Sequence, residues 1–263
     1  MNLENARVLE NKEVKPNFRK LKLYSPKVAA EAKAGQFLMI KPTVVNDPFL
    51  GRPMAIYDSD KTLGIIEILF MIKGRGTKLL AEVKVDDALP VIAPLGNGFK
   101  ITETDKNVVC IAGGVGMAPI YSLIKELHNK DISNNIIVGA RTEAMLLGLD
   151  KLADLCMAVD IYTDDGSFGS KGLATMGLEN ILKEQKIDRV YCCGSMIMMK
   201  NVAKITALYG IPCQVSLEER MGCGIGICMG CVCGHKKEDG SHGLARVCYE
   251  GPVFDAEEVI WHE

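Results

Sequence analysis

The chain is 263 residues long, 48% hydrophobic and 24% charged, with a formal net charge of −2; the length suits two domains and a small appendage, and the composition an ordinary globular protein. That charge leaves no basic footprint for nucleic acid or an anionic membrane surface. No apolar run approaches the roughly 18 residues of a membrane span, and Met1 to Glu10, interrupted by Glu4, Arg7 and Glu10, carries no secretory signal, so a cytoplasmic protein is expected.

The pattern divides the chain into three. Residues 1–100 hold short strand runs, at Arg19 to Tyr24, Phe37 to Ile40 and Ile65 to Ile72, punctuated by Ala34-Gly35, Lys41-Pro42, Asp47-Pro48, Gly51-Arg52-Pro53, Gly74 and Gly76. Many short strands between turn signals predict a small antiparallel β-barrel, interrupted by one helix at about Thr77 to Glu82. Within it, Arg52 stands between turn residues at a strand start, and its rigid guanidinium fork suits phosphate oxygens. The turn Lys73-Gly-Arg-Gly-Thr77 precedes the helix and offers N–H groups and a hydroxyl to the same anion.

Residues 101–214 change to strand–helix alternation. Strands are expected at Asn107 to Ala112, Asn135 to Gly139, Ala158 to Thr163 and Asp188 to Cys193, with a helix at Pro119 to Asn129. Apolar strands alternating with helices predict a doubly wound parallel sheet, whose ligands sit beyond the carboxyl ends of its strands. The turn Cys110-Ile-Ala-Gly-Gly-Val-Gly-Met-Ala-Pro119 is not the G-x-G-x-x-G fingerprint. It shares the mechanism, because Gly113, Gly114 and Gly116 let backbone approach a ligand and a helix N-terminus favours a pyrophosphate. A plain strand-to-helix turn accounts for the same residues. Met196, Met198 and Met199 read as core packing at a helix start, and His128, His235, His242 and His262 as solvated.

Residues 215–263 are short and rich in Cys and Gly, too few to bury a core of their own, so something besides apolar burial is expected to staple them. Five of the ten cysteines, Cys223, Cys228, Cys231, Cys233 and Cys248, fall here; Cys110, Cys156, Cys192, Cys193 and Cys213 are scattered in apolar surroundings. A disulfide framework does not suit a cytosolic chain of this size. Cys223, Cys228 and Cys231 have C-x4-C-x2-C spacing with Cys248 farther on, the plant-type [2Fe-2S] arrangement. Gly222, Gly224, Gly226 and Gly230 allow the loop to wrap closely. A zinc knuckle is the competing reading, but zinc sites pair their cysteines as two C-x2-C units and only Cys228 and Cys231 form one cleanly. Cys233 is a spare thiol, and the adjacent Cys192-Cys193 is not a redox C-x-x-C.

Taken in order, Arg52-Pro53-Met54-Ala55, Gly74-Arg-Gly-Thr77, Gly113-Gly-Val-Gly-Met-Ala-Pro119 and Cys193-Gly-Ser-Met196 resemble the ferredoxin–NADP reductase superfamily. Within it, Ser216-Leu-Glu-Glu-Arg-Met-Gly-Cys-Gly-Ile-Gly-Ile-Cys-Met-Gly-Cys231 and Arg246-Val-Cys-Tyr-Glu-Gly-Pro-Val-Phe254 resemble the electron-transfer subunit of two-subunit bacterial dihydroorotate dehydrogenase. Ala93-Pro-Leu-Gly-Asn-Gly-Phe99 and Asp164-Asp-Gly-Ser-Phe-Gly169 do so too, and the similarity covers nearly the whole chain.

The resemblance implies a multidomain α+β and α/β protein: an FAD-binding barrel at 1–100, a nicotinamide nucleotide domain at 101–214 and a small [2Fe-2S] domain at 215–263. It implies FAD contacts at Arg52, Pro53, Met54, Ala55, Leu69, Phe70, Met71, Gly76 and Thr77, and cluster ligands Cys223, Cys228, Cys231 and Cys248. Gly114, Gly116, Cys193 and Gly194 would line the nucleotide site. Many relatives have a hydroxyl or aromatic residue where Met54-Ala55 stand, so contacts to the flavin ring would come from backbone and binding would rest on the pyrophosphate. The implied partner is an FMN-containing catalytic subunit, two of each subunit, which oxidises dihydroorotate and sends electrons through the cluster and FAD to NAD+ in pyrimidine biosynthesis. No acid–base catalytic residue is expected, because the chemistry belongs to the cofactors. NAD against NADP stays open, with Arg141 placed after the second strand of the sheet. Two rivals remain: the small subunit of an NADH-dependent ferredoxin–NADP oxidoreductase or sulfide dehydrogenase, and a non-catalytic sensor holding a cluster and a nucleotide.

Overall fold

The structure is a computed structural model and describes residues 1–43, 45, 47–155, 157–237 and 239–261; Cys156 and His262, named above, lie outside them. The first part is a closed antiparallel barrel in the order β1-β2-β5-β4-β3-β6. Its elements are β1 (Asn2–Lys15), β2 (Phe18–Tyr24), α1 (Pro26–Glu31), β3 (Phe37–Ile40), β4 (Arg52–Asp60), β5 (Ile65–Met71), α2 (Arg75–Glu82) and β6 (Ala88–Leu95). Period-two alternation drives it: Leu21 and Leu23 of β2 point inward between Lys20 and Lys22, and meet Ile66 and Ile68 of β5. Each such fully buried side chain contributes about 1.5–3 kcal/mol. Closure removes every open edge.

β1 and β6 were not read as strands. β1 buries only small residues, Ala6 and Val8, between charged ones, so its apolar signal is faint although its burial alternates. β3 differs from the other barrel strands in being buried along its whole length. Leu38 and Ile40 fill the barrel, whereas Phe37 and Met39 pack outward against the rest of the protein.

The second part is a sheet in the order β10-β9-β8-β7-β11-β12, with β15 (Val253–Asp255) at its edge beside β12. It comprises β7 (Asn107–Gly113), α3 (Met117–Asn129), β8 (Ser133–Ala140), α4 (Leu149–Asp154), β9 (Val159–Thr163), β10 (Ser170–Lys171), α5 (Ala174–Glu184), β11 (Arg189–Cys193), α6 (Met196–Leu208) and β12 (Cys213–Ser216). These strands all pair in parallel. β7 is covered on both faces, which explains its unbroken apolar run. Val108, Cys110 and Ala112 pack on α3, and Val109 and Ile111 on α5 and α6. α3 lies between sheet and barrel, so Ile120, Leu123 and Ile124 share a core with Tyr57 and Leu69 of the barrel. Asp58 of β4 also holds Lys125 at 2.6 Å and Lys151 at 2.5 Å across this junction.

The C-terminal segment forms a hairpin, β13 (Val232–Lys236) with β14 (His242–Arg246), and then β15 (Val253–Asp255), which pairs antiparallel with β12. The segment has no core of its own, as expected, but apolar burial does help to staple it. Cys231, Val247, Cys248 and Phe254 belong to one core with Val190 and Val215 of the sheet and Phe37, Met39 and Leu95 of the barrel. The segment has too few residues for a core and therefore shares one. Among the described residues no helix is long and apolar enough to cross a membrane.

Asp105 anchors the start of the sheet. It is 1% exposed, accepts two bonds of 3.1 Å from Arg189 Nε, one of 2.8 Å from the Thr102 amide and one of 3.2 Å from the Tyr191 hydroxyl. Removing one partner of a buried pair strands the other charge, at a cost of about 3–5 kcal/mol. Asp105→Ala is therefore expected to lower the unfolding free energy in urea by about 3 kcal/mol; a loss below about 1 kcal/mol would contradict this account.

Candidate functional site

A cavity of about 330 Å³ opens where barrel, sheet and C-terminal segment meet. Its barrel wall is Arg52, Pro53, Met54 and Ala55 of β4, Leu69, Phe70 and Met71 of β5, and Lys73 and Thr77. Cys193, at the end of β11, and Val115, Ala118 and Pro119, at the start of α3, form the sheet side. Ser216, Leu217, Glu218, Glu219, Met221 and Pro252 close it from the C-terminal segment. Eight of the nine residues expected to contact FAD thus line one cavity. The ninth, Gly76, lies against the Arg52 side chain, and a Cβ there would overlap the guanidinium.

The turn before α2 behaves differently from its expected role. The Thr77 hydroxyl accepts the amides of Lys73 at 2.9 Å and Gly74 at 3.0 Å, and donates to the Gly74 carbonyl at 2.9 Å. The hydroxyl is therefore engaged in its own turn, and an anion would meet the first amides of α2 instead, which a helix leaves without internal partners. Arg52 Nη1 donates to the carbonyls of Leu50 at 2.8 Å and Gly51 at 3.0 Å, which fixes the fork at the cavity edge.

Glu218 and Glu219 were missed as cavity residues because they precede the cysteine motif with no pattern of their own. Burial among the cavity walls pushes the Glu218 carboxyl above the usual range, against the pull of Lys73. Cys193 is 1% exposed and its thiol donates to the Ser216 carbonyl at 3.3 Å. Burial raises that thiol far above its ordinary value.

A second cavity, about 440 Å³, lies beyond the carboxyl ends of β7, β8, β9 and β11. Gly113, Gly114, Arg141, Asp164, Thr175, Ser195, Met198 and Asn201 are among its walls. Of the expected nucleotide residues, Gly114 lines this cavity, with φ +55 and open space where a side chain would go. Gly116 and Gly194 do not line it. Gly116 instead presses on the Cys193 carbonyl, and Gly194 lies close to Gly113, so these glycines bring two strand ends together. Asp164 and Ser195 fall in the motifs Asp164 to Gly169 and Cys193 to Met196, but neither was expected as a wall of the site; the rule that ligands sit at strand carboxyl ends points to both. Of the three methionines, Met199 is core, Met198 walls the cavity and Met196 is 42% exposed. His235 faces Glu258 at 3.4 Å, and His128 and His242 are exposed.

The four cysteines of the expected cluster come together at the edge of the barrel. They form two pairs. The amides of Cys223 and Cys228 each point at the other's sulfur at 3.5 Å, and the Cys248 amide points at Cys231 Sγ at 3.4 Å. Two further amides aim at sulfur: Ile225 at Cys223, 3.4 Å, and Gly226 at Cys248, 3.2 Å. A zinc ion needs its donors about one point, whereas a two-iron cluster takes two thiolates per iron, so two pairs suit the cluster. Gly224 and Gly226 have φ of +72 and +83, and a Cβ at Gly224 would overlap Met39 of β3. Burial pushes the Cys223 thiol up, but the amides of Ile225, Cys228 and Ile227 outweigh it and bring it to about 6. Burial, with a bond to Cys231, pushes Cys248 up to about 12. Cys233 is half-buried and raised to about 11 by burial, and it takes no part in either pair.

Residues 218–260 match the family described as the iron-sulfur cluster binding domain of dihydroorotate dehydrogenase B, and residues 110–204 match the oxidoreductase NAD-binding domain. The electron transfer subunit of dihydroorotate dehydrogenase B (NAD(+)) from Desulforamulus reducens is 36% identical over 97% of both chains. The protein of the same description from Caldanaerobacter subterraneus subsp. tengcongensis is 40% identical over 86% of this chain and 87% of its own. Among solved structures, that of the NADH-dependent reduced ferredoxin-NADP oxidoreductase superposes with a TM-score of 0.85 at 30% identity, over 98% of this chain and 90% of the other. Phthalate dioxygenase reductase, at 16% identity and a TM-score of 0.66 over 94% of this chain and 77% of its own, shares the fold.

The close approach at Gly116 gives a direct test. Overpacking costs about 1–3 kcal/mol, and 1.4 kcal/mol is tenfold in affinity. Gly116→Ala is expected to weaken NADH binding about tenfold or more in a calorimetric titration; unchanged affinity would refute a turn that depends on contact with Cys193.

Proposed function

The chain belongs to the family of dihydroorotate dehydrogenase B electron transfer subunits, and on that premise we propose that it carries electrons from a dihydroorotate-oxidising partner, through a [2Fe-2S] cluster and FAD, to NAD+. The observation that supports this most is the shared cavity. One site touches the barrel, the end of β11 in the nucleotide sheet and the segment leading to the cysteine loop. Bound there, FAD supplies the exchange between single electrons and a hydride that joins a cluster to a nicotinamide.

In this reading residues 1–100 hold FAD, 101–214 the nicotinamide nucleotide and 215–263 the cluster. Arg52 and the first amides of α2 hold the pyrophosphate, with Lys73 beside them. Pro53 to Ala55 and Leu69 to Met71 give the ring an apolar wall whose polar contacts are backbone. Gly114 lets the nucleotide approach the start of α3, and Gly116, Cys193 and Gly194 hold the two strand ends at the spacing this needs. Cys223, Cys228, Cys231 and Cys248 hold the cluster. The exposed Cys228, flanked by Ile227 and Met229 at 76% and 51% exposure, marks the face toward the partner. That partner is an FMN-containing catalytic subunit, two of each subunit make the enzyme, and it works in the cytoplasm on the route to pyrimidines.

Two experiments test this. Each charged hydrogen bond to an anion contributes about 1.5–3 kcal/mol. Arg52→Ala, and Gly76→Ala through displacement of Arg52, are expected to purify with markedly less flavin, read from the 450 nm absorbance per chain; full flavin in both would remove the pyrophosphate from this site. Cys223→Ser in the two-subunit complex is expected to abolish dihydroorotate-dependent NAD+ reduction and to leave NADH-dependent dye reduction intact. A wild-type complex that binds its partner yet gives no NADH from dihydroorotate, and that exchanges electrons with ferredoxin instead, would favour the ferredoxin–NADP type, which the 0.85 superposition keeps in view.

A further inference from the structure

Arg246 is tied to the cysteine loop by a network of hydrogen bonds, and nothing in the route described above uses it. Its Nη1 donates to the Gly226 carbonyl at 2.6 Å. The same residue, Gly226, donates its amide to Cys248 Sγ at 3.2 Å, the shortest amide–sulfur contact of the site. Gly226 is thus gripped through both of its backbone groups, one on a cysteine sulfur and one on a guanidinium.

The arginine is itself immobilised. Glu250 accepts its Nε at 3.1 and 3.0 Å and its Nη2, and accepts its backbone amide at 2.7 Å. The guanidinium stacks over the Tyr249 ring, 4.5 Å from the centroid. Tyr249 in turn fills the space beside Gly226, where a Cβ would lie 2.8 Å from the ring. The Arg246 carbonyl accepts the amides of Tyr249 at 3.0 Å and Glu250 at 2.9 Å, which folds the chain tightly around Cys248. As an ion pair Arg246–Glu250 is at the surface, with side chains 27% and 39% exposed, and such pairs add little stability. Its geometry is more specific than its energy: the planar, multidentate fork of arginine serves a carboxylate and a carbonyl at once in a fixed arrangement.

We propose that Arg246, held by Glu250, is a positioning residue that fixes the Gly226 amide on Cys248 Sγ and thereby raises the reduction potential of the cluster. The inference rests on the reading of Cys223, Cys228, Cys231 and Cys248 as the cluster ligands. Hydrogen bonds to the sulfurs and nearby charge set such potentials. Reduction adds one negative charge, which an amide dipole and a guanidinium beside the sulfur stabilise. Loosening Gly226 weakens the first, and removing the guanidinium removes the second.

The test is a redox titration of the purified two-subunit complex, followed by electron paramagnetic resonance, with iron and sulfide measured on each sample. Arg246→Met is expected to disfavour cluster reduction about tenfold, which for one electron is a potential about 59 mV lower. Arg246→Lys, which keeps the charge and loses the fork, is expected to fall between Met and wild type, and the FAD potential to stay unchanged in both. An Arg246→Met complex with full iron content and a wild-type potential would overturn the proposal. Loss of the cluster from both variants would overturn it too, since Arg246 would then be needed for assembly rather than tuning. A wild-type complex without iron would overturn the assignment of the ligands themselves, an outcome the iron measurement separates from the other two.

Discussion

β3 has no solvent face, and the rest of the molecule depends on that. Leu38 and Ile40 belong to the barrel interior, while Phe37 and Met39 belong to the core that the barrel shares with the sheet and the cysteine segment. A shift of this four-residue strand would disturb two cores at once, and packed interiors respond to misfit at once because they are as dense as crystals. β4 pairs with β3 from Phe37 opposite Ala55 to Ile40 opposite Arg52, so the barrel wall of the cavity inherits its position from β3. The cysteine loop does so as well, because Gly224 rests on Met39. One doubly buried strand therefore sets the spacing between the cavity and the thiol pairs.

Cysteine serves two purposes in this chain, and environment alone separates them. Cys110, Cys192, Cys193 and Cys213 sit in strands of the sheet, fully buried, where burial raises each thiol and sulfur acts as a small apolar filler. Cys223 sits in a glycine-rich loop whose amides point at it, and it is drawn below its ordinary value. The amides aimed at Cys223 Sγ thus favour its thiolate. Inert and reactive cysteines differ in where the backbone amides point, not in the side chain.

The parallel sheet was legible because its strands are buried on both faces and so read as apolar runs, β7 and β11 most plainly. The barrel was legible only in part. β2, β3 and β5 carry branched and aromatic residues, but β1 hides its two inward residues, Ala6 and Val8, among charges, and nothing local marks β6 as its partner. The cysteine spacing pointed to the loop, and its glycines to the close turns. What could not be read was any feature that needs distant residues to meet: the paired arrangement of the thiols, the two glutamates on the cavity wall, and the engagement of Thr77 with its own turn. The C-terminal segment shows the limit most clearly. Its length forbids a private core, and the remedy, a core held in common, lies in Phe37, Met39 and Leu95, far away in sequence.

The way the cysteine segment is tied down suits a chain that moves electrons over fixed distances. The backbone leaves the sheet at Ser216 and returns at Val253, and these two residues are paired across the β12–β15 ladder. Leu217 and Pro252 add a 2.9 Å bond just beyond it. The entropy of closing so long an excursion grows slowly with its length, so a short ladder at the base suffices to close it. The ladder alone would leave the far end free to sway. Asn97, from the turn after β6, prevents this: its amide donates to Gly251 at 2.6 Å and its side chain to the carbonyls of Tyr249 at 3.0 Å and Glu250 at 2.9 Å. The turn that carries Cys248 is therefore bonded directly to the barrel, and Leu217 to Glu219, the outgoing arm, form the cavity wall. Sheet, barrel and cavity each hold the loop at a different point, so the thiols keep their place relative to the cavity without a linker that could flex.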